Sequence, residues 1–181
     1  MEKDVIVALA GNPNAGKTTI FNALTGSQQH VGNWPGKTVE HRSGLLVHDG
    51  LVIEVVDLPG TYSLSAYSPE ELIARDFIVH ECPDLTIVVV DAGNLERNLY
   101  LVTQILELPT NVLVALNMMD MLDDMDIEID IEALEAQLGV PVVPMVAREG
   151  EGIDELLAAM TEILYQVREE HVGQRPAVTA K

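Results

Sequence analysis

Gly11-Asn12-Pro13-Asn14-Ala15-Gly16-Lys17-Thr18 follows the apolar run Val5 to Ala10 and opens a segment of helical character. A glycine-bounded loop ending in Lys-Thr at such a junction is built for phosphate: its backbone N–H groups converge on anionic oxygens at a helix N-terminus. Lys17 then serves as a point charge for the β and γ phosphates and the Thr18 hydroxyl as a Mg²⁺ ligand, with Gly11, Asn12, Ala15, Gly16 and Thr19 completing the cradle. The alternative is an ordinary glycine-rich turn, and the pattern should arise by chance in fewer than about one chain in a hundred of this length. The loop calls for a nucleoside triphosphate without choosing the base.

Asn117-Met118-Met119-Asp120 makes that choice, because it ends the apolar run Val112 to Leu116, at the strand edge where open α/β sheets bind ligands. The Asp120 carboxylate can accept from both N1–H and the exocyclic amine of guanine, whereas adenine would leave it unpaired. Met118 stands where G proteins usually carry lysine, and its flexible chain is expected to cover the base plane. Asp57-Leu58-Pro59-Gly60 follows another apolar strand, so Asp57 is a candidate to hold magnesium through its water shell and the Gly60 amide to sense the γ phosphate. Thr38 is the only threonine between Gly26 and Gly60 and is the candidate switch hydroxyl for the same Mg²⁺; a plain strand threonine is the alternative. Segments 26 to 38 and 58 to 69 would be the moving parts. Met145-Val146-Ala147-Arg148 falls where Ser-Ala-Lys is frequent, with the serine missing; Ala147 would offer its N–H to guanine O6.

Hydrolysis of the Ras kind uses a glutamine just after Asp-x-x-Gly, and here that residue is Thr61. No arginine lies in the phosphate loop or between Trp34 and Thr38, and Arg42 begins a strand expected to point elsewhere. Asn14, at the crown of the phosphate loop, is therefore a candidate ligand for K⁺, which would supply the missing charge; otherwise it only shapes the turn.

The elements that must position these residues alternate strand-length apolar runs with helix-period segments, the pattern of an α/β layer fold. Strands are predicted at Val5 to Ala10, Val39 to Val47, Val52 to Val56, Leu85 to Val90, Val112 to Leu116 and Val140 to Val143. Asp49-Gly50 between the second and third marks a tight hairpin, which makes one strand antiparallel in a mostly parallel six-stranded sheet with helices on both faces, a Ras-like P-loop G domain. Ser68-Pro69-Glu70-Glu71 reads as a capping box with proline at the first helical position. Ile153, Leu156, Leu157, Met160, Ile163, Leu164 and Val167 form the buried stripe of a final helix. One domain is expected over 1–170, with 171–181 as a flexible tail or truncated linker.

Composition narrows the partners. The 181 residues carry 29 acidic and 10 basic side chains, a net charge of −19, which repels nucleic acid. Only two of those negative charges belong to residues 1–60, the part expected to meet a polyanion. Cys82 is the sole cysteine and is expected to be buried as a small apolar residue. Neither a signal peptide nor a bilayer-length apolar run is visible. The acidic stretch Asp120 to Glu132 lacks the glycine of a calcium loop and is expected to be a solvated loop leading into a helix.

More particular than any of these are Val31-Gly32-Asn33-Trp34-Pro35-Gly36 with Thr38-Val39-Glu40, Asp57-Leu58-Pro59-Gly60-Thr61-Tyr62-Ser63-Leu64, and Asn94-Leu95-Glu96-Arg97-Asn98-Leu99-Tyr100. Together they resemble the G domain of the ferrous iron transport protein B (FeoB) family, over roughly residues 3 to 168. The resemblance implies a GTPase with GTP/GDP, Mg²⁺ and K⁺ as ligands. It places Asn14 and switch carbonyls near Gly32 and Trp34 around the potassium. It also implies a helical spacer and a polytopic membrane domain in the full-length protein, a place on the cytoplasmic side of the membrane, control of Fe²⁺ uptake without iron binding in this domain, and room for a homo-oligomer. Lys37 departs from the family's usual apolar residue, and the missing spacer and spans imply an excised domain. His80 and Cys82 do not share a helix face and are not expected to bind iron. Two rival readings are a soluble GTPase of ribosome assembly or tRNA modification, and a non-catalytic module that holds GTP structurally.

Overall fold

The computed structural model describes residues 3–173. Its strands are β1 (Val5–Gly11), β2 (Gln29–Asn33), β3 (Glu40–His48), β4 (Leu51–Asp57), β5 (Leu85–Asp91), β6 (Val112–Asn117) and β7 (Val142–Pro144). The helices are α1 (Lys17–Thr25), α2 (Pro69–Asp76), α3 (Leu95–Leu106), α4 (Asp120–Met125), α5 (Ile131–Leu138) and α6 (Ile153–Gly173). One sheet runs β2-β3-β4-β1-β5-β6-β7, and only β3 is antiparallel to its neighbours. Asp49 and Gly50 both take positive φ in the turn between β3 and β4, as a two-residue hairpin requires.

Strand alternation sorts the core into two layers. Val5, Val7 and Leu9 pack with Ile20 and Phe21 of α1 and Leu156, Met160 and Leu164 of α6. Ala8 and Ala10 face the other way, into a layer with Leu101, Val102 and Ile105 of α3 and Ile78. Each fully buried Val, Leu, Ile, Phe or Met among them contributes roughly 1.5–3 kcal/mol by leaving water, so β1 is held from both faces and aims its C-terminal end, the phosphate loop, at one edge.

Four expectations need correction. The sheet has seven strands, not six, because Gln29–Asn33 pairs with β3 from Gln29 opposite Gly44 to Asn33 opposite Glu40. That strand is largely exposed and joined by backbone pairing at the sheet edge, so no apolar alternation announces it. Five of the thirteen residues of the first expected mobile loop, 26 to 38, are therefore strand. Asp120–Met125 is helical rather than loop. Cys82 is exposed, its thiol donating to the Val79 carbonyl at 3.3 Å, because the π-helical turn Phe77–Glu81 ends there in a left-handed residue. Helix α6 runs to Gly173; the rest of the expected tail, 174–181, lies outside the described residues. Among the described residues no helix is long and apolar enough to cross a membrane.

Candidate nucleotide site

Gly16 caps α1 at φ 93°, a left-handed conformation, and a Cβ placed there would lie 2.1 Å from the Asn117 amide nitrogen. Only glycine permits that approach. It lets Asn117, buried at the end of β6, join three segments: its Nδ2 donates to the Ala15 carbonyl at 2.9 Å and its Oδ1 accepts the Ala147 N–H at 2.9 Å. The phosphate loop, the Asn117–Asp120 corner and the 146–148 loop are thus one clamped unit. The Ala147 N–H expected for guanine O6 is engaged by Asn117 instead.

Beside the clamp is a cavity of about 570 Å³ that brings together Asn12, Asn14, Gly16, Lys17, Thr18, Thr19, Gly60 and Met118. Lys17 forms a buried ion pair with Asp57. Thr18, Asp57 and Gly60 also line an adjoining cavity of about 250 Å³. A carboxylate and a hydroxyl are the hard oxygen donors magnesium takes, and the ammonium beside them is the partner a phosphate chain requires. Both amide atoms of Asn12 are buried without a hydrogen-bond partner, a cost met when a ligand engages them. The residues present fit a Mg²⁺-bound nucleoside phosphate.

Gly60 lies against the phosphate loop so closely that a Cβ there would come within 3.2 Å of the Pro13 Cα, and the Thr61 N–H donates to the Gly11 carbonyl at 3.1 Å. Thr61 is buried and its hydroxyl donates to the Ser63 carbonyl at 2.7 Å, so it is committed to the turn and not to a water. Glu71 completes the capping box on Ser68 and accepts from the Ser63 hydroxyl at 2.8 Å and the Tyr67 N–H at 2.9 Å. Those bonds, the Ser63 one foremost, hold its carboxyl below the usual glutamate range.

Met118 takes φ 63° and lines the large cavity. Asp120 pairs through Oδ2 with Arg148 Nη2 at 2.6 Å. Guanine would have to share or displace that arginine. Val146 closes the neighbouring loop by exchanging backbone bonds with Glu151.

Thr38, Gly32 and Trp34 are not brought to the phosphate cavities. Gly32 pairs with His41 in the β2–β3 ladder, the Trp34 carbonyl accepts from the Lys37 N–H at 2.9 Å, and Thr38 is exposed just before Val39, which does line the cavity beside Asp57. The ligand set expected around potassium is therefore present only at Asn14. Trp34 instead packs edge-on to His41 at 4.4 Å and Phe77 at 5.6 Å. Arg42, expected to point away, lines that same cavity opposite Asp57 in the ladder and pairs with Glu40. The antiparallel register with β4 is what turns it inward.

A family model described as ferrous iron transport protein B matches residues 5–160. The chain belongs to that family. It is 51% identical over 162 residues to the Fe(2+) transporter FeoB of Escherichia coli K12, covering 87% of this chain and 21% of that protein, so it spans about one fifth of that relative's length. The FeoB G-domain structure from Methanococcus jannaschii matches with a TM-score of 0.80 and 48% identity, covering 91% of this chain and 99% of the other. A point mutant of S. thermophilus NFeoB, solved bound to mGDP, matches with a TM-score of 0.81 and 49% identity, over 86% of this chain and 59% of its own. This FeoB domain has the expected Ras-like G-domain architecture.

Proposed function

We propose that this domain binds and hydrolyses GTP as the regulatory switch of a ferrous iron transporter. The observation that carries the reading is the Asn117 clamp, which ties the phosphate loop to the corner bearing Asp120 so that one ligand can engage both. Lys17 holds the β and γ phosphates, Thr18 and Asp57 hold Mg²⁺, and Asp120 selects guanine. When bound, magnesium neutralises charge shared between the β and γ phosphates. Thr38 would join Thr18 and Asp57 as a further hydroxyl donor to Mg²⁺, and the Gly60 amide would meet the γ phosphate. In the full-length protein a helical spacer and a membrane domain follow, on the cytoplasmic side, and Fe²⁺ is cargo of that membrane part; residues 1–170 act as the GTP-binding unit.

Hydrolysis is proposed to be potassium-activated. Thr61 is engaged with Ser63, so no side chain directly after Gly60 supplies charge or orients water, and losing an arginine-finger charge in related reactions costs about 10³ to 10⁵ in rate. Asn14 takes φ 66° and lines the phosphate cavity, as a cation ligand there must. The test is multiple-turnover phosphate release in potassium against sodium at equal ionic strength. Faster release in potassium, abolished by Asn14→Ala with GDP binding retained, is the expected result. Equal rates in the two salts remove the potassium proposal, and retention of GTP without turnover supports the structural holder instead.

A further inference from the structure

Segment 60–64 is fastened at both ends to different elements. Its start lies on the phosphate loop through Gly60 against Pro13 and the Thr61 N–H to Gly11. Its end lies on α3: the Arg97 guanidinium sits 4.1 Å from the centre of the Tyr62 ring, and Gln104 Oε1 accepts the Leu64 N–H at 2.7 Å. Leu64 is buried in the same core layer as Leu101. Positions 97, 101 and 104 recur at i, i+4 and i+7, one face of the helix. The start of α3 is itself fixed by a polar network. Asp91 accepts from the Gly93 N–H at 2.9 Å and from Asn94 Nδ2 at 2.7 Å, while Asn98 accepts the Asp91 N–H at 3.2 Å and donates to the Asn94 carbonyl at 2.9 Å. The Asn94-to-Tyr100 run therefore has a mechanical content: it anchors one helical turn so that Arg97 is presented to Tyr62.

We propose that Arg97 is a positioning residue for GTP hydrolysis, holding Tyr62 by its cation so that Gly60 and Thr61 stay against the phosphate loop. The proposal rests on the hydrolysis reading above and adds the part of the fold that sets the hydrolytic geometry. Arg97 and Tyr62 line a small cavity with Asn12, Pro13 and Asn14 of the phosphate loop, and in this role Arg97 acts through Tyr62 and not on the nucleotide itself. It acts through two residues of backbone, and its removal changes turnover and leaves nucleotide affinity alone, since affinity resides in the phosphate loop and Asp120.

The experiment compares Arg97→Met, Arg97→Lys, Tyr62→Leu, Tyr62→Phe and the Arg97→Met/Tyr62→Leu double variant in kcat, KM and GDP affinity. Hydrogen exchange of residues 60–64 with a non-hydrolysable GTP analogue is measured alongside. Arg97→Met and Tyr62→Leu are each expected to lower kcat about fivefold, the scale of one exposed cation–π contact. The double variant should fall no further, because the two side chains form one contact. Arg97→Lys and Tyr62→Phe, which keep a cation and a ring face, should retain most of the rate. GDP affinity should stay within about twofold throughout, and exchange should rise at 60–64 in the two disruptive variants. Unchanged kcat in Arg97→Met, or losses that multiply in the double variant, overturn the proposal. Absence of turnover in the unmodified chain would count against hydrolysis and not against the contact, which is then read from exchange alone: unchanged protection of 60–64 in Arg97→Met overturns it.

Discussion

The phosphate loop is held from several directions, whereas the tip of the β2–β3 hairpin is held against the body through Trp34. Ala15 and Lys17 are almost fully buried, Gly16 lies under Asn117, and Gly60 closes over Pro13. In the hairpin, Val31 is 56% exposed and Pro35 through Thr38 are all exposed, with Trp34 lodged between His41 and Phe77. The contrast separates two tasks. On the proposed function, the site that recognises a nucleotide in both of its states is built in advance, and the segment proposed to tell those states apart is left with few contacts to break.

The largest effect should come from breaking the clamp. Asn117→Ala strands the Ala15 carbonyl and the Ala147 N–H, and each buried group left unpaired costs about 1–3 kcal/mol. Denaturant melts should show a loss of that order, together with failure to retain GDP. A variant that binds GDP normally would mean that the rigid side of the comparison does not depend on Asn117.

Next in size is Asp120→Asn, which inverts the hydrogen-bond demand at the base and should move preference from guanine towards xanthine nucleotides. The loss for GTP is about 2–3 kcal/mol, the scale of a charge-assisted pair left unmade. Competition binding with GTP and XTP measures it.

The hairpin gives a smaller, reversible signal. Trp34 is the sole tryptophan, and its emission should differ between GDP and a non-hydrolysable GTP analogue if the tip moves to bring Thr38 to the magnesium. Identical spectra would make Trp34 a fixed anchor in both states. The same emission reports pH. Burial, reinforced by nearby His30 and opposed by Glu54, lowers the His41 pKa from its ordinary value. His41 therefore stays neutral in the folded chain below the pH at which it would charge when unfolded, and its contribution to stability is present above the unfolded pKa and lost as pH falls through the folded one. Quenching of Trp34 should accordingly set in below the usual histidine range.

The smallest expected change is at the rim of the base corner. Arg148 is 68% exposed on its side chain and its pair with Asp120 is partly solvated, so Arg148→Ala should alter GTP affinity by less than about fivefold. A larger gain would identify that arginine as a competitor with guanine for the Asp120 carboxylate, and a larger loss as a support for the base.

Short contiguous patterns determined much of this protein: the Gly-rich turn with Lys17 and Thr18, the Asn117-to-Asp120 run, the Asp49-Gly50 hairpin and the Ser68 capping box are each read from a few neighbouring residues. Local backbone conformation and donor chemistry depend on neighbouring residues, so those features, and the one antiparallel hairpin in a mostly parallel sheet, were legible. Tertiary structure decided the rest. Asn117 reaches Ala15 across a sequence separation of 102 residues, Arg97 meets Tyr62, Arg42 turns towards Asp57, and Arg148 rather than solvent faces Asp120. Strand β2 forms at an exposed edge where no apolar alternation is required, and Cys82 emerges where a left-handed turn ends a helix. Each of these outcomes depends on pairing register and on which loops the parallel sheet gathers at one edge, and no local pattern of residues carries that information.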